Sequence, residues 1–457
     1  MRRITAISLL VLAGCSTPAK YERPQVELPP AWKQTAPHYA EDRRWWRIYE
    51  DGSLERLVDE SFKTNADLVV AAARVDEARA LIGEAQSFLR PRLDAEGSAS
   101  RQQISQRTAT PFPTREFSTY RGALNLSYEL DLFGRLRSGV EAARAELEAS
   151  EAARDAVRLA LAAQVAKSYF ALRSFDEQVA LTRETLRLRE DALGLQRKRH
   201  QAGVIGDFEL RQLEAEAAAA RAQLPGLEEA REREEAALAV LLGRTPRQLF
   251  EEGIAVKQQF DETLQAPVLP AGLPSELLLR RPDLVEAERR LAAANARVEV
   301  ARKEIFPSIA LTAALGSESA SLSNLFSGPS ILWSLAGAVA QPIFSGGRTE
   351  ARTAAAEARE RAVLAQYQQA VRTAFGEVRT ALVAQSRARE RFDAESERAV
   401  ALRETLRLAR LRYDSGIASQ IEVIDAERGL LAARIARIDA LRAHRAAVAD
   451  LFRALGG

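Results

Sequence analysis

Cysteine is almost missing from this chain. Among 457 residues the only one is Cys15, so no intrachain disulfide can form and no thiol cluster can hold a metal. Histidine is scarce: His38, His200 and His444 lie far apart and make no H-x3-H ligand spacing, so no metal site is assigned. A surplus of one charge is also lacking. The 65 Lys and Arg face 63 Asp and Glu, and a net charge of +2 argues against a basic face for nucleic acid. No GxxxxGK[ST] phosphate loop and no nucleophile–base arrangement stands out, so no catalytic residue and no cofactor is assigned, and an enzyme is not expected. Proline is absent, and glycine nearly so, from Gly134 to about Gln201 and again from Arg348 to about Ser415. Ala, Leu, Glu and Arg fill those stretches, which is the profile of long helices.

The chain reads as a duplication. Arg199-His200-Gln201-Ala202-Gly203-Val204 matches Arg412-Tyr413-Asp414-Ser415-Gly416-Ile417 at an offset of 213 residues, and Leu242-Gly243 matches Leu455-Gly456 at the same offset. Phe88-Leu89-Arg90-Pro91 is echoed by Glu304-Ile305-Phe306-Pro307, and Leu132-Phe133-Gly134-Arg135 by Ile343-Phe344 with Gly347-Arg348. The string RETLRL occurs at 183–188 and 403–408, an offset of 220, one heptad out of register; it shows only that the heptads are interchangeable.

Each half reads helix, strand pair, very long helix, tight turn, helix. Alternation of apolar and polar residues predicts strands at about 92–103 and 117–131, and again at about 307–316 and 331–343. At 1.5 Å per residue each long helix would measure on the order of 100 Å, which implies coiled-coil-like packing. Pro225-Gly226 is expected to break the first return helix. The expected organisation is a signal peptide at 1–14, a lipidated tether at 15–40, a first repeat at 41–243, a Pro-rich equatorial link at 244–272 and a second repeat at 273–457. Trp45 and Trp46 are expected to pack the N-terminal segment against the helices.

Strands with one apolar face suit either a soluble sandwich or a lipid-facing barrel. Here each has the ten or so residues that a tilted strand needs to cross a bilayer. The loops at 102–116 and 316–330 are long and rich in Ser, Thr and Pro, whereas the other strand ends run straight into helices. Four strands cannot close a barrel, and open edges in lipid would leave backbone groups unsatisfied, so several chains must pool their strands.

The N-terminus combines Arg2-Arg3, a short apolar run from Ile4 to Ala13 and Leu12-Ala13-Gly14-Cys15, which resembles the lipobox of bacterial lipoproteins. That resemblance implies acylation of Cys15, and Ser16 after it implies sorting to the outer membrane; an ordinary signal peptide is the plainer alternative. Further on, Leu273-Pro274-Ser275-Glu276-Leu277-Leu278, Arg280-Arg281-Pro282-Asp283-Leu284, Ala287-Glu288-Arg289-Arg290-Leu291-Ala292-Ala293-Ala294-Asn295 and Ile305-Phe306-Pro307 follow one another. With Arg44-Trp45-Trp46 and Pro342-Ile343-Phe344-Ser345-Gly346-Gly347-Arg348, they are similar to the outer-membrane efflux lipoproteins of the TolC superfamily, NodT-type (OprM-like) branch.

The resemblance implies a mixed, mainly α fold. Long helices would form a periplasmic α-barrel, joined to a transmembrane β-barrel of four strands per chain and twelve in a homotrimer. It implies an outer-membrane channel, a passive export duct for drugs or other small molecules, lipid-anchored in the outer membrane and extending into the periplasm. The implied partners are a periplasmic adaptor protein, an RND-type inner-membrane transporter and outer-membrane lipid. A duct for type I protein secretion, and a lipid-anchored coiled-coil scaffold, remain alternatives. Gly203 with Val204 and Gly416 with Ile417 would be adaptor-contact tips, exposing Val204-Ile205 and Ile417-Ala418; by themselves they are plain helix–helix turns. Ile421, Glu422, Asp425 and Arg428 have the spacing of a solvated charged helix face. By resemblance they form the closed periplasmic gate, with Arg428 supplying a salt bridge that holds it shut.

Overall fold

A computed structural model of the chain describes residues 44–105, 107, 115–251, 253–254 and 281–457. The signal peptide, Cys15, the tether, His38, most of the 244–272 link and the motif stretch 273–280 lie outside the described residues. A 3-10 turn, Trp45–Tyr49, opens the described chain. It is followed by α1 (Gly52–Thr64), α2 (Ala66–Ser87), β1 (Arg92–Gln103), β2 (Glu116–Leu130), α3 (Arg135–Gln201) and α4 (Asp207–Leu241). After the short α5 (Pro246–Glu251) come α6 (Pro282–Lys303), β3 (Ser308–Ser319), β4 (Ile331–Ala340), α7 (Arg348–Asp414) and α8 (Gln420–Leu455).

The duplication is visible in the element lengths. α3 and α7 each have 67 residues, α2 and α6 each have 22, and α4 and α8 have 35 and 36. The fold is mainly helical, as expected. The chain divides into two compact units.

The first unit comprises Ala73–Ala152 and Val285–Gln369 and holds the sheet. Its four strands lie in the order β1-β2-β3-β4, every neighbour antiparallel. β3 runs on to Ser319 because Glu318 and Ser319 still pair with Arg121 and Tyr120, beyond the last apolar residue of the stripe. β4 stops at Ala340, just before Pro342, which has no N–H for a ladder. The helical part of this unit packs on heptads. Leu291, Ala294, Val298 and Ala301 are buried along α6 at spacings of three and four. Ion pairs flank that seam: Arg289–Glu148 at 3.0 Å and Arg297–Glu146 at 2.9 Å tie α6 to α3, and Arg302–Glu357 at 2.8 Å ties it to α7.

The second unit takes in residues 44–72, 153–251, 253–254, 281–284 and Ala370–Gly457. Its largest core joins Trp45, Trp46, Tyr49, Leu54 and Val58 to α3 (Val165, Tyr169, Phe170, Leu172), α4 (Leu238) and α8 (Val448, Phe452). The two tryptophans are only 5% and 3% exposed, so the N-terminal segment is packed on the helices. Val371, Ala374, Val378 and Ala381 are buried along α7 at spacings of three and four. Arg281 is buried against the end of α8, donating to the Ala454 carbonyl at 2.8 Å and to Glu377 at 2.7 Å.

The expected break at Pro225 is corrected: α4 runs unbroken from Asp207 to Leu241 with Pro225 inside it. A proline there removes one backbone hydrogen bond and costs about 3 kcal/mol in an isolated helix. Here the helix is tied to α3 on both sides of it, by Arg221–Glu190 and Arg183–Glu228, both at 2.5 Å, and Arg231–Asp176 at 2.6 Å. Burial of Leu213, Ala217 and Ala220 before the proline and of Leu238 and Ala239 after it outweighs the local preference, while ion pairs this exposed add little.

Candidate functional site

The two tight turns share one backbone solution. Gly203 and Gly416 both have φ +72°, a left-handed conformation that favours glycine. In the first, the Gly203 amide donates to the His200 carbonyl at 2.8 Å and the Val204 amide to Arg199 at 2.9 Å. In the second, Gly416 donates to Tyr413 and Ile417 to Arg412, both at 2.9 Å. This double closure is the Schellman pattern, and it leaves room for an immediate return helix. Val204 is 60% exposed and Ile417 72%; at the next equivalent position, Phe208 is 65% exposed and Ile421 39%. Each turn thus presents two apolar side chains left open by the described residues. Ile205 departs from expectation: it is half-buried, packed against Leu193, Leu210, Leu213, Ala217 and Ile424.

Beyond the second turn, α8 divides its residues cleanly. Val423, Ile424 and Ala426 are buried, while Ile421, Glu422 and Asp425 are exposed. Glu422 lies 3.5 Å from Arg412 across the turn. Arg428 reaches from α8 to α4: its Nε donates to Glu216 Oε1 at 2.8 Å, and it also lies 3.6 Å from Asp425. The hydrogen bond to Glu216 raises the Arg428 guanidinium above its ordinary pKa. Glu216 is itself buried, and Arg189 of α3 approaches its other carboxylate oxygen at 3.2 Å while donating to its carbonyl at 2.9 Å. One buried carboxylate therefore joins three helices, two from the first half and one from the second.

Glu216 and Arg189 were not singled out in the sequence, although a signal existed. Leu213, Ala217 and Ala220 form the buried stripe of α4, and Glu216 is a charged residue on that stripe. At the 213-residue offset its counterpart is Gly429, and the counterpart of Arg428 is Ala215, so neither half contains the latch alone.

The sheet is the second functional surface. Directly paired residues of an antiparallel ladder point to the same face. Register places Leu93-Leu126-Ala313-Leu335, Ala95-Leu124-Leu315-Trp333 and Leu130-Ile309-Val339 in rows along one face. The opposite face carries Asp94-Asn125-Ala314-Ser334 and Arg92-Ser127-Thr312-Ala336. Trp333, Leu335 and Val339 are 76%, 76% and 70% exposed. Among the described residues, the edge strands β1 and β4 have no outer neighbours. A continuous apolar face this open, with a polar face behind it, suits lipid on one side and water on the other. Among the described residues no helix is long and apolar enough to cross a membrane, and no group of three metal-capable side chains is gathered.

Known proteins resemble this chain over nearly its whole length. The model of the family described as "Outer membrane efflux protein" matches residues 57–244 and 273–457. The chain is 34% identical over 456 residues to the cation efflux system protein CusC of Escherichia coli K12, covering 98% of this chain and 97% of that one. It is 33% identical over 462 residues to the toluene efflux pump outer membrane protein TtgC of Pseudomonas putida, covering 99% and 94%. Among solved structures, the open state of the Neisseria gonorrhoeae MtrE outer membrane channel matches with a TM-score of 0.82 and 33% identity over 97% of this chain and 98% of that one.

Proposed function

Because the chain belongs to the outer membrane efflux protein family, and is an outer-membrane channel component of an efflux system, we propose that three copies build one passive duct. The sheet carries this reading: its exposed apolar rows need lipid, and its open edges need the strands of neighbouring copies. Pooling places the small polar residues of the opposite face around the lumen. Cys15 is acylated and holds the N-terminus at the membrane.

The helical hairpins close the periplasmic end. Three-fold repetition turns Ile421 into an apolar ring and Glu422 and Asp425 into acidic rings, a combination that narrows the opening and favours cations. Arg428 holds each second hairpin to Glu216 of the first. Opening is a population shift from packed to splayed hairpins, driven by contacts made outside this chain. Val204 and Ile417, at the Gly203 and Gly416 turns, supply the apolar docking points for a periplasmic adaptor, which links the duct to an RND-type inner-membrane transporter. Cargo is small molecules selected by that transporter: CusC is named for cations and TtgC for toluene, yet both are about equally similar to this chain.

The test is conductance in planar bilayers. Replacing Asp425 and Arg428 together by Ala is expected to raise single-channel conductance. Unchanged conductance removes these residues from the gate. A mature protein that is monomeric in mild detergent and passes no ions overturns the duct itself.

A further inference from the structure

The N-terminal strap, the 3-10 turn plus α1, carries more buried polar chemistry than packing a terminus requires. Asp51 caps α1 through Oδ1, which accepts from the Ser53 and Leu54 amides at 2.8 and 3.3 Å. Its Oδ2 accepts from the Tyr169 hydroxyl of α3 at 2.6 Å. Arg173, one turn along α3, donates to that same hydroxyl at 3.0 Å and lies 3.9 Å from Asp51 Oδ2. Two residues before Asp51, the Tyr49 hydroxyl donates to the Arg445 carbonyl of α8 at 2.7 Å. Trp45 stacks on Phe452 of α8 with centroids 5.4 Å apart, and Tyr49 meets Phe170 of α3 edge-on at 4.6 Å. The Arg445 guanidinium lies over the Phe170 ring at 5.2 Å. Tyr49, Tyr169, Arg173 and Arg445 are all buried. Burial pushes both tyrosine hydroxyls well above their ordinary pKa, so both stay protonated donors.

α3 belongs to the first half of the chain and α8 to the second. The strap therefore bolts one helix from each half at a single level. Lys167–Asp450 and Gln178–Asp439, both at 3.0 Å, tie the same two helices on either side of that level. The latch lies further along both: Arg189 is about 24 Å beyond Arg173 on α3, and Arg428 about 25 Å from Arg445 on α8, at the helical rise per residue.

We propose that the strap is a fixed collar, holding α3 to α8 so that gate opening is confined to the helix segments between Arg173 and Arg445 and the two turns. It rests on the gate reading above. Helices clamped at one level and latched at another have only the segment beyond the clamp free to splay, and Asp51, Tyr49 and their partners set where that segment begins. They act as positioning residues; none of them meets cargo.

Native-state hydrogen exchange on the full-length protein in detergent tests this. Wild-type amides of α3 at 153–172 and of α8 at 446–455 are expected to exchange slowly, and the Asp425→Ala/Arg428→Ala variant is expected to speed exchange only on the turn side of that boundary. Tyr49→Phe and Asp51→Asn remove hydrogen bonds with little change of shape. Each is expected to speed exchange at 153–172 and 446–455 by about tenfold while β1–β4 stay unchanged. Unchanged exchange at 153–172 and 446–455 in both collar variants overturns the collar. So does a gate variant that loosens both sides of the boundary equally. A gate variant that loosens nothing sinks the gate reading alone, because the two collar variants still decide the strap on their own.

Discussion

The first and second hairpins have the same backbone and different chemistry. Their turns agree in φ and in both closing hydrogen bonds. Yet Glu216 faces Gly429 across the offset, Gln212 faces Asp425, Ala215 faces Arg428, and Arg231 faces His444. Arg231 is held by Asp176 at 2.6 Å and Glu235 at 2.8 Å. His444 is buried against Phe392, and its Nε2 has no hydrogen-bond partner among the described residues. The difference teaches how a duplicated chain divides labour. Helix and turn geometry constrain the backbone of both copies equally, while side chains are free to specialise. The first hairpin contributes the buried acid of the latch and Arg189, and the second contributes Arg428 and the exposed acids Glu422 and Asp425.

The comparison breaks first at Glu216. Glu216→Ala leaves Arg189, nearly buried, without its carboxylate and is expected to cost about 3–5 kcal/mol in denaturant unfolding. Asp425→Ala, on the exposed face, is expected to stay within about 0.5 kcal/mol. Equal costs would mean that the two acids are not specialised.

His444 gives the next largest effect. Burial, then the nearby Arg389, lowers its pKa from 6.5 to about 4; Asp393 pulls the other way less strongly, and Arg445 adds a still weaker lowering. The folded state thus resists protonation that the unfolded chain accepts. Its contribution to stability is complete above pH 6.5 and is lost as pH falls from there towards 4. The loss reaches about 3 kcal/mol per chain. His444→Gln is expected to flatten that part of the stability–pH curve, measured by thermal melts across the window. An unaltered curve would assign the acid sensitivity elsewhere.

The smallest effect tests the likeness of the hairpins. Gly203→Val and Gly416→Val each force a β-branched residue into the left-handed region, at about 1–3 kcal/mol apiece. Matching losses are expected in thermal melts, and crosslinking to the adaptor should weaken in both. A turn whose variant crosslinks undiminished is not a contact.

Much of the fold was legible in the primary structure. Alternation located all four strands because a sheet with lipid on one face and water on the other must alternate. Long proline-free runs located α3 and α7 for an equally local reason. Pro225 misled because its cost is local, whereas the fastening of α4 to α3 lies in residues far along the chain. Arg428, Asp425 and the two turns could be singled out from spacing and resemblance. Glu216 could not, since its importance comes from Arg189 and Arg428, distant in sequence and adjacent only once three helices pack. Ile205 follows Val204 in sequence yet is half-buried, because Leu193, Leu210, Leu213 and Ala217 of its own hairpin and Ile424 of the other pack against it.

Periodicity, helix stops and the 213-residue repeat are properties of neighbouring residues, and they determined the elements and their order without reference to anything else. Which charges meet, which apolar faces stay open and where the strap clamps α3 to α8 depend on distances between residues far apart in the chain. Those distances exist only in the packed molecule, because a buried ion pair or a stacked ring draws its energy from the partner that tertiary structure brings to it.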